Sequence, residues 1–177
     1  MTKPYVSKTG VFGDDRGLFF PLIIETHGTQ RPWIQSNISI SKKWTFRGLH
    51  HQVGEYAQAK LITVVRGSIV DFLVDLRKGS FEQAYFFKLL PGDQVYVPRG
   101  FAHGFLALEE DTMIQYLVDN DYSPKNEISF DWKSNETVKE LVLAEVGDES
   151  NLFLSPKDAQ GVKISRECAE TIDYASL

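Results

Sequence analysis

The chain has 177 residues, of which 42% are hydrophobic and 12% aromatic, enough for one full hydrophobic core and suggesting a single domain over 1–177. A formal net charge of −5 gives no electrostatic reason to bind nucleic acid or an anionic membrane, so any anionic ligand must meet a local basic pocket. The lone cysteine, Cys168, rules out an intrachain disulfide, suits a reducing compartment, and without a His or Asn nearby in sequence reads as a buried inert thiol.

Residues 1–8 lack the apolar stretch of a secretory signal. No window approaches the ~18 consecutive apolar residues of a membrane helix, so a cytoplasmic protein is expected. Twelve Phe, seven Tyr and many β-branched residues favour strands. Residues 33–40 alternate apolar and polar side chains after Pro32 and are predicted as a strand. Residues 60–65 and 68–76 flank Arg66-Gly67 and are predicted to form a hairpin. The stretch 84–90 stops at Pro91-Gly92-Asp93, and 94–97 stops at Pro98; 105–108, 112–118 and 128–132 complete the strands. Strands this short, without helices between them, argue for an antiparallel sandwich or barrel.

After Trp132 the period changes. Val138, Leu141, Val142 and Glu145 fall at helical spacing, and Thr137 with Glu140 would make a capping box. Beyond Gly147 the chain is polar apart from Leu152-Phe153-Leu154, then continues Ser155-Pro156-Lys157-Asp158. No repeat, low-complexity run or linker suggests a second domain.

The chemistry concentrates in Arg47-Gly48-Leu49-His50-His51-Gln52, Lys60 and the run Val97-Pro98-Arg99-Gly100-Phe101-Ala102-His103-Gly104-Phe105. Gly92 to His103 has the form G-x5-P-x-G-x2-H, which resembles the second motif of the cupin jelly rolls; the closing Asn of that motif would fall at Ala107 and is absent. His50-x-Gln52, then Lys60 with six residues before Gly67, resembles the first cupin motif in altered form. Metal-binding cupins carry His-x-His and a glutamate at those places. An ammonium there would repel a divalent cation and has no lone pair to give while protonated, so the pattern argues against a catalytic metal. It suits a developing oxyanion instead. His27 and His51 read as hydrogen-bonded core histidines, with His51 pointing away from His50 by strand alternation. Lys60 falls on the face opposite Leu61, and a site role is preferred to a rim charge lying over apolar surface.

Phe12-Gly13-Asp14-Asp15-Arg16-Gly17, Gln35-x-Asn37, Arg47-Gly48-Leu49-His50-x-Gln52, Gln58-x-Lys60-Leu61, Val74-Asp75-Leu76-Arg77-Lys78, Val97-Pro98-x-Gly100-Phe101-Ala102-His103-Gly104-Phe105 and Tyr122-Ser123-Pro124 occur in order. Together, over about residues 10–160, they resemble the dTDP-4-dehydrorhamnose 3,5-epimerase family. The resemblance implies an all-β, cupin-like double-stranded jelly-roll β-sandwich with a short helical C-terminal segment, a homodimer with no cofactor, and a nucleotide-sugar substrate. Position by position, it implies His50 as general base, Asp158 as its orienting carboxylate and Tyr116 as general acid. Lys60 would hold the keto oxygen, Arg47 and His103 would contact the sugar and its phosphates, and Tyr122 would stack on the base. Arg16, Gln35, Asn37, Glu127 and Lys157 match further substrate contacts.

In a 4-keto sugar one carbonyl acidifies the hydrogens on both C3 and C5, so a base on one face and an acid on the other invert a centre through an enolate. A neutral imidazole with a pKa near about 6.5 suits the base. Two departures bear on substrate identity. Pro21 stands where the family usually has a nucleotide-contacting glutamate, and Phe130-Asp131-Trp132-Lys133-Ser134-Asn135 replaces an aromatic and acidic run. The alternatives are a mono-epimerase acting on a dTDP- or CDP-linked sugar, a metal-dependent cupin and a non-catalytic sugar-nucleotide binding module.

Overall fold

The computed structural model describes residues 3–15, 17–22 and 31–167, so Arg16, His27 and Cys168 lie outside the described residues. Among these residues the strands are β1 (Tyr5–Lys8), β2 (Phe12–Asp14), β3 (Gly17–Phe19), β4 (Gln35–Ser41), β5 (Phe46–Gln52), β6 (Lys60–Arg66), β7 (Ile69–Asp75), β8 (Ala84–Leu89), β9 (Asp93–Val97), β10 (Phe101–Ala107), β11 (Thr112–Val118) and β12 (Glu127–Ser129). One sheet has the order β1-β9-β6-β11-β4 and the other β12-β5-β10-β7-β8; β2 and β3 form a separate ribbon. The fold is the expected cupin-like β-sandwich.

Three apolar clusters follow from strand alternation. Between the sheets, Ile62, Val64 and Ile114 from the first meet Ile69, Leu73 and Phe105 from the second. The other side of β7 is equally apolar, and there Val70, Phe72 and Val74 join Phe46, Leu49, Trp132 and the helix α1 (Glu136–Val146) through Val138, Val142 and Val146. On the far face of the first sheet, Leu61 and Tyr96 collect Trp33 and Tyr5. Lys60 therefore does face the opposite side from Leu61.

The predicted hairpin at Arg66-Gly67 is not formed. β6 pairs with β9 and β11, whereas β7 pairs with β10 and β8, so the turn carries the chain from one sheet to the other. Gly67 takes φ +77° with Thr112 against it, a sheet-to-sheet corner that local sequence does not distinguish from a hairpin turn. The predicted capping box is also replaced. Thr137 lies inside the helix, and Asn135 caps it by accepting from the Val138 amide at 3.2 Å. The predicted strand at 105–108 begins earlier, at Phe101, and the one at 128–132 ends at Ser129, because Trp132 turns into the core. β1, β2, β3 and β5 have no counterpart in the predicted set.

Candidate active site

The inner faces of the two sheets line a pocket of about 440 Å³. That is within the common range for small-molecule sites. Each strand supplies residues two apart, as alternation requires. From the first sheet come Gln35, Asn37 and Ser39 of β4, Lys60 and Ile62 of β6, and Ile114, Tyr116 and Val118 of β11. They line up across the sheet in rows: Asn37, Tyr116 and Ile62 are register partners, as are Gln35, Val118 and Lys60.

The second sheet breaks that rule in one useful place. Arg47 and His50 are three residues apart, yet both line the pocket. The register slips between β5 and β10, with His103 opposite His50 but Phe105 opposite Arg47, so three steps along β5 match two along β10. This bulge turns both side chains inward. Gly48 (φ +127°) and Gly104 make the crossing possible, since a Cβ on Gly48 would stand 2.6 Å from the Gly104 Cα.

His50 Nε2 donates to Asp158 Oδ1 at 2.6 Å. Asp158 sits in the first turn of the short helix α2 (Pro156–Ala159), where it accepts from the Ser155 hydroxyl at 2.8 Å while its amide donates back to that oxygen at 3.1 Å. Burial pushes the Asp158 carboxyl upward. The His50 and Ser155 hydrogen bonds, with the Lys157 charge, outweigh that and hold it below the usual carboxylate range. A second pair joins His103 Nε2 to Asp71 Oδ1 at 2.8 Å, with the other Asp71 oxygen buried and unpartnered.

Burial lowers the Lys60 pKa, although the carboxylates of Glu127 and Asp71 pull it back up. Among the described residues none makes a hydrogen bond or ion pair with the Lys60 ammonium. Tyr116 on the same wall is held un-ionised, its pKa raised chiefly by burial despite the opposing charge of Arg47. Arg47 itself donates to the Ser41 hydroxyl at 3.0 Å. At the rim, burial pushes the Glu127 carboxyl up, but the hydrogen bonds it accepts from Lys157 and from Tyr122 at 2.8 Å, with the charge of Lys157, hold it below the usual range.

Of the residues singled out in the sequence, Gln35, Asn37, Arg47, His50, Lys60, His103, Tyr116, Tyr122, Glu127 and Asp158 all line this pocket. Lys157 stands beside it on Glu127. His51 points elsewhere, as alternation requires. Its Nδ1–H donates to the Phe101 carbonyl at 3.2 Å, and burial lowers its pKa to about 4. Sequence reasoning missed Ser39, Ser155 and Asp71. The Ser155-x-x-Asp158 spacing was a readable helix-start signal for the second of these, whereas Asp71 reads as one more position of an apolar strand.

The family model for dTDP-4-dehydrorhamnose 3,5-epimerase matches residues 2–166. This chain belongs to that family. It is therefore an isomerase, and several of the family's members are close to it. The dTDP-4-dehydrorhamnose 3,5-epimerase of Escherichia coli K12 is 38% identical over 157 residues, covering 84% of this chain and 82% of that protein. The dTDP-6-deoxy-D-glucose-3,5-epimerase of Legionella pneumophila, solved in complex with dTDP-4-keto-L-rhamnose, superposes with a TM-score of 0.80 at 30% identity over 97% of this chain and 93% of that one. The Elizabethkingia anophelis enzyme gives 0.76 at 35% identity, covering 91% of each chain.

Proposed function

We propose that this epimerase inverts C3, C5 or both in a dTDP-linked 4-keto-6-deoxy sugar through an enolate. His50 is the base. With Nε2–H given to the ionised Asp158, the neutral ring keeps its lone pair on Nδ1. Tyr116 is the acid, and its raised pKa keeps the proton available at neutral pH. Lys60 donates to the oxygen that gains charge as the C–H bond breaks, and the partly dry site strengthens that contact. The proton leaves the sugar to His50 on one side, the C–H electron pair passes into the enolate, and Tyr116 returns a proton from the other side. Arg47 and His103 are placed for the sugar and phosphates. Gln35, Asn37, Arg16, Glu127 and Lys157 complete the substrate contacts, and Tyr122 meets the base of the nucleotide.

The observation that carries this reading is the separation of the two proton-transfer groups. His50, fixed by Asp158, belongs to the second sheet, and Tyr116 to the inner face of the first, so one pocket presents a base and an acid from opposite walls. Incubation with dTDP-4-keto-6-deoxyglucose in heavy water should place deuterium at C3 or C5. No exchange at either carbon sinks the reading.

We also propose that the chain acts as a single-domain, cytoplasmic homodimer. β4 is an edge strand whose outward Ile38 and Ile40 are more than half exposed, as are Phe12, Leu18 and Phe19 of the β2–β3 ribbon. Apolar surface of this kind favours burial against a second copy. No described helix is long and apolar enough to cross a membrane.

A further inference from the structure

Tyr122 is more than half exposed and sits in the loop between β11 and β12, where few packing contacts could hold a ring in one orientation. Its neighbours are nevertheless held. Gln52, the last residue of β5, donates from Nε2 to the Asp121 carbonyl at 3.1 Å and accepts on Oε1 from the Ser123 amide at 2.6 Å. A carbonyl at one residue and the amide two residues on face the same way in extended chain. The Gln52 side-chain amide thus pairs with the backbone on both sides of Tyr122 as a neighbouring strand would. Its remaining amide hydrogen donates to the Tyr56 carbonyl at 2.9 Å, tying the loop to the 3-10 turn Gly54–Tyr56.

The buried Gln52 amide thereby uses both donors and one of two acceptor positions on backbone groups. Asn120 and Gln58 also tether this loop, but at residues before Asp121. Among the described residues, Gln52 alone hydrogen-bonds the peptide units on both sides of Tyr122. The far end of the ring is fixed by its hydroxyl, which donates to Glu127 at 2.8 Å. A ring clamped at both ends offers its face without paying ordering entropy when a flat partner arrives.

We propose that Gln52 is a positioning residue for nucleotide binding, acting through Tyr122 by clamping the Asp121 carbonyl and Ser123 amide on either side of it. This rests on the reading that Tyr122 meets the base of a dTDP-linked substrate. Gln52 touches no reacting atom, so its effect is on binding and not on the proton transfers.

The test combines calorimetric dTDP binding with steady-state kinetics for Gln52→Met, Tyr122→Ala and the double variant. Gln52→Met should raise the dTDP Kd and the KM about tenfold while kcat stays within about threefold, since a lost base–aromatic contact is of that size. Tyr122→Ala should weaken dTDP to a similar degree, and the double variant should bind no worse than about twofold beyond the weaker single, because the two act as one unit. Wild-type affinity in Gln52→Met, a silent Tyr122→Ala, losses that multiply in the double variant, or a fall in kcat at unchanged KM would each overturn the assignment. If Gln52→Met fails to fold, Gln52→Glu takes its place: it keeps the acceptor for Ser123 but turns a carboxylate oxygen toward the Asp121 and Tyr56 carbonyls, so the dTDP Kd should rise at least about tenfold while kcat stays within about threefold. Binding of dTDP requires no turnover. A wild-type protein that binds dTDP but exchanges no deuterium refutes the epimerase reading and leaves the Gln52 test intact. One that epimerises while Gln52→Met binds normally does the reverse, and a wild type that does not bind dTDP refutes the Gln52 assignment.

Discussion

Two histidines stand opposite each other on the second sheet, each paired with an aspartate, and the surroundings of the two pairs differ. His50 keeps a quarter of its side chain open to the pocket, and Asp158 is bonded on both carboxylate oxygens, by His50 on one and Ser155 on the other. His103 and Asp71 are 8% and 0% exposed, and one Asp71 oxygen has no partner. A proton-transfer group must be reachable and its partner must hold still through the change of charge. The His103 ring reaches the same pocket with far less of its surface, beside half-buried Lys60, and suits a contact to substrate better than a proton transfer. The resemblance in sequence already gave the two histidines different roles; the exposure of the rings and the bonding of the carboxylates supply a physical reason for the difference.

The largest effect expected is on His50→Asn, which should lower kcat by about 10²–10⁴. Asp158→Asn should follow it, since an amide no longer fixes Nε2–H. His103→Asn should cost less in kcat than His50→Asn, and an equal loss in both would break the distinction between the pairs. Next comes Lys60→Met, expected to slow deuterium exchange by about 10²–10³, the usual size for losing one oxyanion donor. The same substitution should raise the melting temperature. The folded-state pKa of Lys60 is lowered, so between that value and its ordinary 10.5 the unfolded chain binds more protons and stability rises with pH. Lys60→Met should abolish that rise, and a lower melting temperature together with an unchanged pH slope would contradict the burial argument.

Tyr116→Phe should lower inversion by about 10² while exchange at the abstracted carbon continues, because the base remains. Equal loss of exchange and inversion would place the acid elsewhere. The smallest effect is on acid stability. Asp158 titrates below its ordinary 3.8 in the folded chain, so it contributes stability above the unfolded value that disappears as pH falls through the folded one. Melting of Asp158→Asn between about pH 5 and 2 should be flatter than wild type.

Much of this site was legible in the sequence because strands read with period two. Gln35-x-Asn37, Lys60 against Leu61 and His50 against His51 all fall where alternation puts them. Arg47 did not follow from alternation, since the bulge at Gly48 and Leu49 that turns it into the same pocket as His50 is a register slip against a strand more than 50 residues away in sequence. Asp71 was hidden among Val70, Phe72 and Leu73, where a lone carboxylate gives no sign of the histidine it will meet. The Arg66-Gly67 turn was misread because the same glycine conformation serves a hairpin and a corner between sheets. Gln52 was read against the metal-ligand histidine of cupins, and its partners are backbone groups of a loop whose approach no local pattern announces.

The opposed base and acid are tested most directly by proton NMR of dTDP-4-keto-6-deoxyglucose in heavy water with His50→Asn beside wild type. Wild type should incorporate deuterium at C3 or C5, and His50→Asn none above background. Exchange by His50→Asn at the wild-type rate would contradict His50 as the base.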